Sequence, residues 1–165
     1  MDARNDVHEV IEKVEASPEF QEFSEQNPHH YLVHAFSTAA GAPAPIELGY
    51  YGEDTDMITV FRSDPITAMP PEEVFKQDGK LKQLDLTAVR LGLKDALERA
   101  EKERAAAYPQ HATIKAICIL QQHDNPTWNL TLVTGTMQMI NMRIDALTGQ
   151  VLSRSIQSIM NIARE

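Results

Sequence analysis

The chain has 165 residues and a formal net charge of −9, with 42% hydrophobic and 24% charged residues. This length suits one domain or two small halves packed together, and it is long enough to bury a hydrophobic core. Because an acidic surface repels phosphate backbones and anionic lipids, nucleic acids and membranes are excluded as expected partners.

The compartment is expected to be the cytoplasm. No apolar run approaches the roughly 20 residues that span a bilayer, and the acidic N-terminus lacks the basic start of a signal peptide. Cys118 is the single cysteine and cannot form an internal disulfide, which favours a reducing compartment. It lies in an apolar run, and we expect it to be structural.

Two helices are predicted at the N-terminus. Residues 6–16 repeat apolar side chains at helical spacing, at Val7, Val10, Ile11 and Val14. Ser17 is placed to cap a second helix that begins at Pro18, and this helix should end before Asn27-Pro28. Residues 1–28 hold eight acidic and two basic residues, which indicates a solvated helix face or a docking surface for a basic partner.

Three strands and a connector follow. The segments 31–39, 46–51 and 57–62 alternate apolar and polar residues between turns, which predicts an antiparallel meander. In the region 63–83 prolines, Gly79 and charges interrupt any periodicity. A helical turn is predicted to start at Pro71.

The second half begins with a predicted long helix, residues 86–108, with Asp85 as its N-cap. Its buried stripe comprises Val89, Leu93, Ala96, Leu97 and Ala100. Gly92 should weaken this helix by roughly 1 kcal/mol, unless it serves close packing. Four further strands are predicted at 112–121, 127–133, 137–145 and 150–155, followed by a short C-terminal helix or a frayed tail.

The order helix–strand–strand–strand therefore occurs twice. A constant shift of 82 residues pairs the two copies, and it matches Val7 with Val89, Leu32 with Ile114, Phe36 with Cys118, Leu48 with Leu130 and Val60 with Met142. We predict an internal duplication, with units 1–64 and 85–165 and a connector at 65–84, packed as one compact domain. The predicted fold class is α+β, with two helix–β–β–β repeats and helices on one face of antiparallel sheet. One edge-to-edge sheet and two lobes remain alternatives.

The segment "NMRIDALTGQVLSRS" contains the most distinctive carboxylate, Asp145. An aspartate at the head of a turn accepts hydrogen bonds from backbone N–H groups just downstream. Gly149 can supply the positive φ that a type I turn with a bulge requires. We therefore interpret Asp145 as a turn residue and not as a catalytic acid.

The C-terminal half resembles the PepSY family in the pattern W-x-L-x-L … I-x-M-x-I-D-A-x-T-G-x-V-L. The residues that carry it are Trp128, Leu130, Leu132, Ile140, Met142, Ile144, Asp145, Ala146, Thr148, Gly149, Val151 and Leu152. The resemblance covers about residues 85–155 and implies a helix packed on an antiparallel sheet. PepSY domains occur in propeptides of thermolysin-like metallopeptidases and in proteins with no assigned activity, and the family brings no catalytic residues. The first half lacks the D-A-x-T-G turn.

Other candidate sites are weaker. His29, His30 and His34 suggest a metal, but His30 and His34 should share one strand face too far apart for a single ion. The acidic segment 53–56 is interpreted as a turn between strands and not as a calcium site, because the glycine and distal glutamate of a calcium-binding loop are missing. Tyr50, Tyr51 and Trp128 are expected in the core or in strand pairs, although they would line a groove on an uncovered sheet face.

The sequence therefore predicts no catalytic, cofactor-binding or metal-binding residues. The leading hypothesis is a non-enzymatic binding or regulatory module that engages a protein or peptide through a sheet edge or open face. The alternative is a small-molecule-binding protein or enzyme with a pocket between helix and sheet, using His34 and the nearby tyrosines. A homodimer formed through strand edges is a third possibility.

Overall fold

The computed structural model describes residues 4–74 and 81–162. Its main element is one antiparallel sheet of ten strands. The strands are β1 (His30–Ala40), β2 (Ala42–Pro43), β3 (Glu47–Gly52), β4 (Met57–Ser63), β5 (Ile66–Ala68), β6 (Glu72–Glu73), β7 (Thr113–Gln122), β8 (Pro126–Thr134), β9 (Gln138–Asp145) and β10 (Val151–Ser158). The main path runs β10-β9-β8-β7-β1-β3-β4-β5, while β2 pairs with β1 and β6 with β4. The α+β prediction is confirmed, and the two halves share one continuous sheet.

Two capped helices open the chain, as the sequence predicts. These are α1 (Asp6–Glu15) and α2 (Pro18–Gln26), and two more follow, α3 (Leu93–Ala107) and α4 (Ile159–Ile162). The side chain of Asn5 accepts a hydrogen bond from the N–H of Val7, and Ser17 Oγ accepts one from the N–H of Phe20. No described helix is long and apolar enough to span a bilayer.

The hydrophobic core lies between the sheet and the helices α1 to α3. Val7, Ile11 and Val14 of α1 are buried, as are Leu93, Ala96 and Ala100 of α3. Alternate strand residues meet them from the sheet, among them Leu48, Phe61, Cys118, Leu130 and Met142. Phe20 and Phe23 of α2 pack against the same cluster, so three helices cover one face.

The predicted helix 86–108 is wrong over its first turns. Asp85 does act as an N-cap, but of a 3-10 turn at Leu86–Ala88, and α3 begins only at Leu93. The chain between them is irregular because tertiary hydrogen bonds engage it: the N–H groups of Arg90 and Leu91 both donate to the carbonyl of Ala146. Gly92 is the N-cap of α3 and not a weak point inside it.

The connector is more structured than its prolines and charges indicate. β5 and β6 both pair with β4, so part of the region read as irregular extends the sheet. The helical turn predicted from Pro71 is wrong for Glu72 and Glu73, which form β6, and the remainder of that prediction extends beyond the described residues. Further along, Leu84 is buried in the core and its N–H donates to the carbonyl of Leu32.

The two halves contribute corresponding strands in mirror order on either side of the central β1–β7 pair: β1, β3, β4 and β5 on one side, and β7, β8, β9 and β10 on the other. In the central pair, Phe36 lies opposite Ile119. With the constant shift of 82 residues, corresponding residues of β3 and β8 point to the same face of the sheet, and Leu48 and Leu130 are both buried. It fails elsewhere: Leu32 is buried but Ile114 is 61% exposed. Register shifts after Leu32 in β1 and after Thr113 in β7 change the phase, so one gap-free shift cannot describe both halves.

Candidate functional site

The face of the sheet opposite the core has no described helix packed on it and is the candidate site. Cross-strand partners point to the same face, which allows its residues to be assigned from the strand register. One row joins Phe36, Ile119, Asn129 and Arg143 across four adjacent strands. A parallel row joins Thr38, Ile117, Thr131 and Asn141.

Apolar side chains form a patch at the centre of this uncovered face. Phe36, Ile117 and Ile119 lie on the central strands β1 and β7, and each is only half-buried. Further half-buried apolar residues flank them on β4, β8 and β9, namely Val60, Val133 and Met139. The other face of the sheet is buried under three helices, so this patch is an apolar surface that the sheet leaves partly within reach of solvent.

Basic side chains border the patch. Arg62 on β4, Lys115 on β7 and Arg143 on β9 are all exposed and share its face. None of the three forms an ion pair with a residue in the described ranges. By strand register, three described carboxylates belong to this face: the half-buried Glu47, the exposed Glu72 opposite Ile58, and Asp145, which is bonded within its own turn. Around the apolar patch the exposed charges on β4, β7 and β9 are thus all positive, although the chain carries a net charge of −9.

His34 lies at one end of the uncovered face, over the backbone of Gly49. A Cβ atom placed on Gly49 would come within 2.1 Å of the His34 ring, so glycine is required for this close approach. Burial lowers the pKa of His34 to about 4, and the ring is therefore neutral at physiological pH. A cavity of about 260 Å³ beside it is lined by Lys82, Gln121 and His123, among other residues.

The prediction that His30 and His34 share a strand face is wrong. His30 packs edge-on against Phe23 of α2, with ring centroids 5.2 Å apart, and so lies on the helix side. The register shift between Leu32 and His34 reverses the alternation, and His34 points to the uncovered face. The two rings therefore cannot bind one ion, and no group of three potential ligands forms within residues 4–74 and 81–162.

Asp145 forms the turn that the sequence predicts. Its Oδ1 accepts hydrogen bonds from the N–H groups of Leu147 at 2.8 Å and Thr148 at 3.2 Å, and Gly149 has φ of +78°. Asn125 Nδ2 donates to Oδ2 at 2.9 Å from the neighbouring loop. Burial alone would raise the pKa of Asp145, but these three hydrogen bonds outweigh it and leave the pKa below its usual value.

The cleft beside Asp145 was not predicted from the sequence. His123, Arg143 and Leu152 line this space of about 350 Å³ together with Asp145. Burial and the positive charges of Arg143 and Lys82 lower the pKa of His123. Its residues come from the β7–β8 loop and from β9 and β10, so only the strand pairing brings them together. The Asp145 carboxylate is engaged by its turn and by Asn125, which leaves Arg143 as the exposed charged group on β9.

The remaining candidate side chains are structural. Burial raises the pKa of the Cys118 thiol to about 12, so it stays protonated and unreactive. Trp128 is buried and its Nε1–H donates to the carbonyl of Leu91 at 2.8 Å. Tyr50 faces the helices and donates to Glu15 Oε2, while Tyr51 on the other face is fully buried. Tyr50 and Trp128 belong to the core cluster, and Tyr51 forms a cross-strand pair with Tyr31 on the other face, which agrees with the predicted core or strand-pair positions.

A third cavity lies between α2 and the sheet, on the helix side. It has a volume of about 360 Å³, and Phe23, His30, Met57, Thr59 and Met69 contribute to its walls. The alternative hypothesis places a pocket between helix and sheet but builds it from His34 and the tyrosines. His34 lies on the opposite face and cannot contribute to this cavity, whereas Tyr50 lies on the helix side and packs against Phe23 of the cavity wall.

Comparisons with known proteins bear on the fold. A scan against protein-family models and a search of curated proteins both give no match. The fold is similar to the crystal structure of a "putative lipoprotein" from Clostridium difficile 630, with a TM-score of 0.56 and 13% sequence identity. That similarity covers 83% of this chain and 89% of the other. At this identity it shows a shared α+β architecture and nothing about activity.

Proposed function

We propose that the protein is a non-enzymatic binding module whose uncovered sheet face holds an extended, acidic and apolar segment of a partner protein. The observation that carries this proposal is the half-buried patch of Phe36, Ile117 and Ile119, bordered by the exposed cations Lys115 and Arg143. Apolar side chains of the segment would cover the patch, and its carboxylates would lie beside the cations.

The charge distribution supports an acidic partner. The helices α1 and α2 hold the acids of the N-terminal region, whereas the uncovered face carries Arg62, Lys115 and Arg143. A charged group without an ion-pair partner on an apolar surface is placed to pair with an opposite charge on a ligand. A basic segment would meet these same cations and be repelled. In this proposal the uncovered face therefore selects its partner by charge.

The state of the reactive groups supports binding without chemistry. His34 is packed over Gly49, Cys118 is buried as a thiol, and Asp145 is hydrogen-bonded within its turn. A nucleophile needs a base within hydrogen-bonding reach, and each of these three side chains is held by the core, by Gly49 or by backbone groups. We propose accordingly that the module acts by recognition.

The experiment measures peptide binding and its dependence on charge. The probes are an array of short peptides that alternate leucine with glutamate and a matched array with lysine in place of glutamate. We expect the protein to bind the glutamate peptides and to lose about tenfold or more in affinity in the double variant K115E/R143E. The variant K102E changes an exposed lysine on α3, on the other side of the molecule, and should bind as the wild type does.

Two results would overturn the proposal. One is equal binding of the glutamate and lysine arrays, which would remove charge selection. The other is an unchanged affinity of K115E/R143E, which would place the peptide elsewhere. A salt titration provides an independent check, because affinity for an acidic peptide at this face should fall as ionic strength rises.

A second candidate function is small-molecule binding in the cavity between α2 and the sheet. Its volume of about 360 Å³ is within the roughly 300–1,000 Å³ of typical ligand pockets. A thermal-shift screen against metabolites tests this alternative. A stabilising compound whose effect is lost in M69W, which fills the cavity, and kept in M139W on the other face would favour it.

We further propose that the two halves arose by duplication, that the second half is PepSY-like and that the protein is cytoplasmic. The strand order about the β1–β7 pair supports the duplication, and the D-A-x-T-G turn at Asp145 supports the kinship. The lone buried thiol of Cys118 suits a reducing compartment. Fractionation of the source cell tests the compartment, and recovery in a membrane or exported fraction would contradict it.

A further inference from the structure

The cavity between α2 and the sheet has a pre-formed aromatic wall. Phe23 of α2 lines it and is held by ring contacts, to Phe61 at a centroid distance of 5.1 Å and to His30 at 5.2 Å. The His30 ring also lines the cavity and lies over Gly52, where an added Cβ would come within 2.3 Å of it. Rings fixed in this way offer a ligand a surface that does not have to be ordered on binding.

Adaptable apolar side chains form much of the remaining wall. Met57 of β4 and Met69, which follows β5, both line the cavity and are only half-buried. Methionine is unbranched and polarisable, so it adjusts to the shape of a bound group and makes favourable contacts with aromatic rings. A space of about 360 Å³ bounded by aromatic and thioether groups therefore suits a small, compact apolar body, such as an aromatic ring.

The charges around this cavity are negative. Glu19 and Glu22 of α2 line it, and because they are three positions apart they are neighbours on one face of the helix. Glu73 of β6 is the cross-strand partner of Met57 and shares its face of the sheet. Within residues 4–74 and 81–162 no lysine or arginine lines the cavity, and neither Glu19 nor Glu22 forms an ion pair. An apolar cavity whose charged groups are all carboxylates favours a ligand with a positive charge.

His30 adds a polar group to the wall without adding a positive charge. Burial lowers the pKa of His30, so the ring is neutral at physiological pH and does not repel a cation. Its Nδ1 is buried and has no hydrogen-bond partner among the described residues. Buried nitrogens are rarely left unpaired in folded proteins, and a ligand in this cavity can supply the missing hydrogen bond.

We propose that the cavity between α2 and the sheet binds a small amine with an aromatic or similarly compact apolar body. The body packs on Phe23, Met57 and Met69, and the ammonium group lies beside the exposed carboxylates of Glu19 and Glu22. This inference names the ligand class for the second candidate function and rests on that function. It is independent of the peptide site, which lies on the other face of the sheet.

Three probes of one shape test the selection by charge. Phenethylamine, phenethyl alcohol and hydrocinnamate each carry a phenyl ring on a two-carbon chain, which ends in a cation, a neutral group and an anion respectively. We expect the amine to bind about tenfold or more tightly than the alcohol, and the carboxylate to bind most weakly. NMR titration of the full chain measures this binding: the ring signals of His30 should shift, and those of His34, on the other face, should not.

The double variant E19Q/E22Q tests the two carboxylates. It removes both charges, keeps the size of the side chains and alters only exposed positions. The affinity for phenethylamine should fall to about that for phenethyl alcohol, and the affinity for the alcohol should stay unchanged. E25Q is the matched control, because Glu25 is an exposed residue of the same helix that does not line the cavity, and it should bind the amine as the wild type does.

The results separate the ligand class from the cavity's capacity to bind. Equal affinities for the amine and the alcohol, or an unchanged preference for the amine in E19Q/E22Q, would overturn the amine as the ligand and leave small-molecule binding in place. If no probe shifts the His30 signals, the inference is wrong, and the thermal-shift screen with M69W and M139W decides separately whether the cavity binds any compound.

Discussion

Asp145 connects its own turn to the neighbouring β7–β8 loop through its two carboxylate oxygens. One oxygen accepts from the N–H groups of Leu147 and Thr148, and the other accepts from Asn125. The side chain is 7% exposed, so water can replace these partners only in part. At the scale of the single residue, these hydrogen bonds are sufficient to explain why an aspartate occupies this position.

The first prediction concerns the substitution Asp145→Ala. It removes three hydrogen bonds to an ionised acceptor, and we expect the free energy of unfolding at neutral pH to fall by roughly 1–3 kcal/mol. Because the folded pKa is lower than the usual 3.8, the carboxylate stabilises the fold above that value and loses this effect as pH falls through the folded pKa. Urea unfolding at neutral pH and below pH 3.8 should therefore show the wild type and the variant converging.

Asp124→Asn is the control for this prediction, because Asp124 is exposed in the neighbouring loop and accepts no hydrogen bond from a described residue. It should change the stability by only a few tenths of a kcal/mol. A difference between wild type and D145A that stays constant with pH would show that the carboxylate charge contributes nothing.

The second prediction concerns His34 and the glycine beneath it. In Gly49→Ala the new methyl group would overlap the ring, and the ring can swing outward because its contacting atoms are at the end of the side chain. Solvation of the ring should then raise the pKa of His34 from about 4 toward its ordinary 6.5. The folded protein would consequently lose less stability as pH falls from 6.5 to 4, since the folded and unfolded states would bind protons more equally.

An NMR titration of the His34 ring measures this shift directly. Gly135→Ala is the control, because a Cβ there meets a single neighbour, Ile114, at an ordinary 3.6 Å. It should leave the His34 titration unchanged. If the pKa of His34 stays near 4 in G49A, the strand and not the ring has moved, and burial of the ring is not governed by Gly49.

At the scale of the element, α3 begins where another helix caps it. Gly92 offers no side chain, and Asp6 of α1 accepts hydrogen bonds from the N–H groups of Leu93 at 2.7 Å and Lys94 at 2.9 Å. A Cβ on Gly92 would lie 2.4 Å from that carboxylate, so the glycine makes room for the cap. The start of α3 is thus determined by a residue 87 positions away in the sequence.

The third prediction is that Asp6→Ala destabilises the protein through α3. Loss of an N-capping carboxylate costs about 1–2 kcal/mol. Glu9→Ala is a close control, because Glu9 lies in the same first turn of α1 and makes the same favourable contribution to that helix's dipole, but is exposed. Chemical denaturation of both variants measures the difference. Equal losses in D6A and E9A would mean that the contact with α3 adds no stability.

The boundary of α3 also shows what local sequence patterns can and cannot predict. The seven longer strands and the helices α1 and α2 follow from alternation, helical spacing and capping residues, all of which act over a few positions, whereas the short strands β2, β5 and β6 were not predicted. The start of α3 depends on Asp6 and on the bond from Trp128 to Leu91, which no local pattern contains. The same holds for the candidate site: the phase of β1 changes at a bulge, and therefore the face of His34 could not be read from alternation.

At the scale of the whole molecule, the helices α1 to α3 and the acids of α1 and α2 lie on one side of the sheet, and the apolar patch with Arg62, Lys115 and Arg143 lies on the other. The β1–β7 pair joins the two halves at the centre of the sheet, with Phe36 opposite Ile119 on the uncovered face and Ala35 opposite Leu120 in the core. The proposed partner site therefore spans the junction of the halves. Its shape depends on both halves being folded together.

The last prediction follows from that junction: the two halves unfold as one cooperative unit. Trp128 is the single tryptophan and reports on the second half, while Val14 is fully buried in the first, and both belong to the same core cluster. Val14→Ala should cost roughly 1–3 kcal/mol. Because the halves share a sheet and a core, this loss should shift the Trp128 fluorescence transition as much as the circular dichroism transition, as a two-state protein requires.

Glu25→Ala, an exposed change on α2, should shift neither by more than a few tenths of a kcal/mol. A V14A protein whose fluorescence transition stays at the wild-type midpoint while its circular dichroism moves would show that the halves are independent, and a site that spans them would then not be held in one geometry.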